Sequence, residues 1–76
     1  MNDKRRKKLS GADSHLEAAL LIASAVLDEE TDCLNNMPEN LEGSERYEKI
    51  EDAVSKLEDL VQGIEDLKDL LYEASA

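Results

Sequence analysis

Few residues in this chain have the types and spacing to do chemistry, and those few point to anion binding rather than to a reaction. Lys4-Arg5-Arg6-Lys7-Lys8 puts five cations in the first eight residues, and Arg5, Arg6 and Lys8 are candidate phosphate contacts. Arg46 beside Tyr47 is the second such place. It offers a guanidinium for a phosphate and a ring on which a base could stack, with Asn40 and Ser44 as neighbouring donors and acceptors. His15 is the only histidine and has no second His or Cys at ligand spacing, so no metal is assigned. Cys33 is the only cysteine, which excludes an internal disulfide and favours a reducing compartment; at its heptad position a buried, inert thiol is expected.

The acidic run Asp28-Glu29-Glu30-Thr31-Asp32 lacks the central Gly and terminal Glu of a calcium loop and reads as a solvated face. Glu30 is the exception, because it falls on the apolar seam, where Arg46 or Lys49 of another protomer would be its nearest partner. There is no Gly-rich phosphate loop and no Ser/His/Asp set. No catalytic residue and no cofactor is assigned, and the chain is not expected to be an enzyme.

The elements that must position these residues are two helices around a hinge. Pro38 lacks a backbone N–H and forces Met37 out of the helical region, so a first helix should stop near Asn36. Gly43 and Ser44 restart the chain, Ser44 being a good N-cap. The predicted layout is a basic tip at residues 1–8, helix one at 9–36, a hinge turn at 37–43 and helix two at 44–74, a single all-α domain folded as an antiparallel two-helix hairpin. With Leu9 and Ile50 both taken as heptad position a, apolar residues fill a and d in both helices and spill onto e. Tyr47, Val54 and Val61 are the e residues that widen the second stripe, and Ala74-Ser75-Ala76 are expected to fray.

Both stripes are wider than one two-helix seam requires, which would leave Leu20, Leu27, Leu34, Val54 and Val61 partly wet in a lone hairpin. The hairpins are therefore expected to dimerise into a four-helix bundle or a larger assembly, with a seam of Leu16, Leu20, Leu27, Leu34, Ile50, Val54, Leu57, Val61, Ile64 and Leu71. A chain of 76 residues, without Trp or Phe, has too small a core to do otherwise.

The net charge of −10 divides as +4 over residues 1–8, −8 over residues 9–43 and −6 over residues 44–76. An acidic body repels duplex DNA, which is excluded as a partner. The cationic tip opposes the helix dipole, and the hairpin itself supplies a reason for it: the acids Glu65, Asp66, Asp69 and Glu73 of helix two should lie alongside. The longest apolar run, Ala18 to Leu27, is half of the roughly twenty residues a membrane span needs. The basic start is followed by Leu9-Ser10-Gly11-Ala12-Asp13 rather than the apolar core of a signal peptide, so a cytoplasmic location is expected.

Lys4 to Leu9, Asp28-Glu29-Glu30, Met37 to Leu41 and Ser44 to Glu48 together resemble a family of small acidic helical proteins encoded by phages and prophages of Gram-positive bacteria. The likeness spans nearly the whole chain and is most specific at the hinge. It implies a helical hairpin made inside a host bacterial cell, with no chemistry attached. Small phage proteins of this size often inhibit host defence, and by that analogy the expected function is a non-enzymatic oligomeric binding module that sequesters a host component, a nucleotide immune signal being one cargo. Two alternatives stand beside it: an acidic helical protein that blocks a host protein or mimics nucleic acid, and a structural or assembly adaptor.

Overall fold

The computed structural model describes Met1–Ala76 as a helical hairpin 59 Å long and 15 Å by 13 Å across. Helix α1 runs over Asp3–Asn35, a single 3₁₀ turn covers Glu39–Leu41, and helix α2 runs over Glu45–Ser75. The fold is all-helical, with the two helices packed antiparallel and no strand.

Helix α1 begins six residues before the predicted boundary at Leu9, so the basic tip is its first two turns. Asn2 caps it: its side-chain oxygen accepts from the Arg5 amide at 2.9 Å and its carbonyl from the Arg6 amide at 3.1 Å. Lys and Arg are good helix formers, and the N-cap is worth about 1 kcal/mol. Together with Asp3 in the first turn these offset the unfavourable dipole, which falls off within that turn, costs about 0.3–1 kcal/mol for each of Lys4, Arg5 and Arg6, and is screened by salt.

The hinge forms as its residues dictate. The Asn36 amide still reaches the Asp32 carbonyl at 3.0 Å, and Pro38 then ends the ladder. The Leu41 amide donates to the Pro38 carbonyl at 2.9 Å, closing the 3₁₀ turn. Gly43 takes φ +79°, a conformation in which a side chain would be strained. Ser44 Oγ then accepts from the Tyr47 amide at 3.2 Å and starts α2. At the far end α2 holds through Ser75, beyond the predicted fray point, with the Ser75 hydroxyl donating to the Leu71 carbonyl at 2.8 Å.

The seam lies one heptad step from the predicted a/d pairing. It runs along a and e in both helices: Leu16, Leu20, Ala23, Leu27 and Leu34 on α1 face Tyr47, Ile50, Val54, Leu57, Val61, Ile64 and Leu71 on α2, all buried or half-buried. The residues expected to stay wet, Leu20, Leu27, Leu34, Val54 and Val61, are thus part of the hairpin's own seam. Most d residues are outside it. Ala19, Val26, Leu60 and Leu67 are exposed, and so is Cys33, which corrects the expectation of a buried thiol.

Alanine explains the step. At d it counts as apolar but covers little, whereas the branched side chains at e carry the volume that two helices must bury. Even so, only Ala23, Val54 and Ile64 fall to 9% exposure or less, and no side chain is fully buried. A thin hairpin buries one seam and leaves the rest of its apolar surface in water.

Candidate interaction surface

The polar residues singled out above do not converge. The tip residues Arg5, Arg6 and Lys8 stand at one end of the 59 Å rod, and Asn40, Ser44, Arg46 and Tyr47 stand at the other. Arg6 is engaged within the chain, its Nη1 on Asp3 at 3.0 Å and its Nε on the Ser75 carbonyl at 3.0 Å. Ser44 Oγ is used as the helix cap, and Tyr47 is half-buried on the seam. Within one chain these groups cannot enclose one small ligand.

The tip cations do not pair with the acids of α2 either. The ion pairs that join the helices have the opposite polarity: Lys68 of α2 reaches Glu17 at 2.6 Å and Asp13 at 3.3 Å on α1. Its side chain is only 23% exposed. The hydrogen bond from Lys68 to Glu17 raises the ammonium above its ordinary range, while partial burial opposes the shift and Asp13 adds to it. Lys56 and Asp52, at 2.9 Å, and Lys49 and Glu45, at 3.2 Å, are pairs along α2 with the acid-first spacing of four. Lys49 is thereby occupied, and Glu30 has no ion-pair partner in the chain although it is half-buried on the seam. His15 is exposed, and no cluster of three metal-ligating side chains forms.

What the fold assembles instead is an apolar flank. The e-side flank is mostly polar: the Lys68 clamp sits there with Ser24 and Thr31, and Glu58 and Glu65 lie along the same edge of α2, which ends in the exposed ring of Tyr72. The d-side flank carries Ala19, Ile22 and Val26 from α1 and Leu60, Leu67 and Leu70 from α2, with Ile22 67%, Leu60 50% and Leu67 51% exposed. At mid-length this flank dips into an open groove of about 370 Å³, lined by Ala19, Ile22, Ala23, Val26, Leu57, Leu60 and Ile64. No polar side chain lines it. Such a groove can take an aliphatic side chain or the face of another helix; it holds no donor for a phosphate and no acid, base or nucleophile for a reaction.

The ten residues predicted to join hairpins lie in the seam inside one hairpin, and Ile22, Val26, Leu60, Leu67 and Leu70 are left exposed together on the d-side flank, with Leu21 and Tyr72 exposed elsewhere. A signal for this was present: from Ala18 to Leu27 the first helix is apolar on every side except at Ser24, more than one neighbour can cover. Compared with family models, characterised proteins and solved structures, the chain matches none. No helix is long and apolar enough to cross a membrane.

Proposed function

We propose that this chain is a non-enzymatic helical interaction module that works by docking protein against its d-side flank, and that it exists as an assembly rather than as a lone hairpin. The observation that carries this reading is the groove at mid-length, apolar throughout and continuous with exposed Leu67 and Leu70. Exposed apolar patches of this kind, rimmed by charge, are characteristic of protein interfaces. The resemblance to small phage proteins makes a host-cell component the class of target for the assembly, and sequestration or blocking the mode of action. A protein target suits the surface better than a nucleotide, since the groove offers no charge and the candidate phosphate contacts Arg5, Arg6, Lys8 and Arg46 are split between the two ends.

Native mass spectrometry of the chain purified from bacterial cells tests the proposal. The wild type should carry a polypeptide, either a second copy or another protein, and the variant Ile22→Asp/Leu60→Asp should lose it while keeping its helical circular dichroism. A bare monomer at micromolar concentration overturns the reading, as does extra mass released on denaturation as a nucleotide and unaffected by the double substitution.

A further inference from the structure

We infer that the occupant of the d-side flank is a second copy of this chain, packed face to face about a two-fold axis that crosses the groove, with the two rods antiparallel. The inference rests on the interaction-module reading and specifies its partner. The groove lies at the middle of both helices, near Ile22 in α1 and Leu60 in α2. A two-fold axis through it therefore overlaps the rods along their full length, and a 59 × 15 Å face has room for the ~800 Å² per partner of a stable interface. Isologous contact of this kind closes the assembly and covers the d-side flank, leaving Leu21 and Tyr72 exposed outside it.

Charge sets the direction. The tip end, residues 1–12 with 69–76, carries five bases and three acids and is net +2. The hinge end, residues 28–48, carries eight acids and one base and is net −7. Parallel rods would lay one acidic hinge end on the other. Antiparallel rods lay each tip on the partner's hinge end, opposite charge on opposite charge. This also gives the tip cations a role that no contact with α2 acids provides, since among them only Arg6 has an acidic partner, Asp3.

The register that follows is specific. Side chains on the d line of α1 meet in pairs equidistant from the axis, so Ala19 faces the partner's Val26 and Ala12 faces the partner's Cys33. On α2, Leu60 meets the partner's Leu60 and Ala53 the partner's Leu67. Small residues oppose larger ones on three of these four rungs, which is how facing helices interdigitate.

Cys33 makes the geometry measurable. Within one chain, and between parallel copies, positions 12 and 33 are 21 residues apart on a helix, about 32 Å, far beyond disulfide reach. The full-length Ala12→Cys variant, which keeps Cys33, is oxidised with oxidised glutathione, and its linkage is read by peptide mass. Most of the chain should become a dimer in which the thiol introduced at position 12 is bonded to the partner's Cys33, and wild type with Cys33 alone should not cross-link. A dimer in light scattering that links Cys33 to the partner's Cys33 overturns the antiparallel arrangement. A well-folded wild-type monomer at micromolar concentration overturns the self-partner. If that monomer still retains another protein through Ile22 and Leu60, the interaction-module reading survives and this inference fails alone.

Discussion

Lys68 of α2 donates to Glu17 of α1 at 2.6 Å and stands 3.3 Å from Asp13, making it the one cation that ties the two helices by ion pairs. The folded state raises its affinity for a proton, chiefly through the Glu17 hydrogen bond. A raised lysine contributes stability that is fully present below its unfolded value of 10.5 and is lost as pH rises through the higher folded value. Thermal melts of wild type should therefore lose Tm above about pH 10.5 more steeply than melts of Lys68→Met. Parallel curves for the two proteins in that window would show that the clamp contributes nothing.

Gly43 and Gly63 differ in what the backbone asks of them. Gly43 has φ +79°, so Gly43→Ala should destabilise by about 1 kcal/mol or more, read by urea unfolding. Gly63 lies inside α2 with ordinary helical backbone, and a methyl group there would meet nothing within 4 Å. Gly63→Ala should stabilise the fold by about 0.5–1 kcal/mol. Equal effects of the two substitutions would contradict the hinge geometry.

These turn residues show how much could be read without coordinates. Pro38, Gly43 and Ser44 are local signals, and each acts through its own backbone, so the break between the helices and the start of α2 were legible to within a residue. The start of α1 was not, because the cap at Asn2 and the propensity of five basic residues had to be weighed against the dipole, and each of these is on the order of 1 kcal/mol. The choice between d and e as the second seam line is not a local signal either. Ala12, Ala19 and Ala53 make d look apolar, yet which of two adjacent lines faces the neighbour depends on volume matched between helices, a tertiary quantity. The seam expected between hairpins, on a and e, is thus the hairpin's own, and Ile22, Val26, Leu60 and Leu67 are left exposed.

That distinction yields a paired test. Ile64 is 7% exposed in the seam, and Ile64→Ala should cost about 2–5 kcal/mol at any protein concentration. Leu60 is half exposed in one hairpin, so Leu60→Ser should barely change a monomer but should lower the Tm of an assembly. Melts at two concentrations about a hundredfold apart separate the cases. The wild-type Tm should rise with concentration and that of Leu60→Ser should not, whereas concentration-independent melts for both would mean the flank is not an interface.

The tip cations give the last test, because their local and assembly effects have opposite signs. In the hairpin alone, Lys4→Glu/Lys8→Glu replaces cations at a helix N-terminus with acids, which the dipole favours, so helicity should hold or rise. Against the hinge end of an antiparallel partner the same change turns attraction into repulsion. Exposed pairs are worth up to about 1 kcal/mol each, so dimer affinity should fall by about tenfold or more at low ionic strength. The gap between variant and wild type should narrow as salt is raised toward ~1 M, where charges more than about 3 Å apart are already screened. Sedimentation equilibrium across a salt series reads this directly. A variant that dimerises as tightly as wild type at low salt would place the tip away from the partner's acids, and with it would go the reason the chain has for opening an otherwise acidic body with five bases.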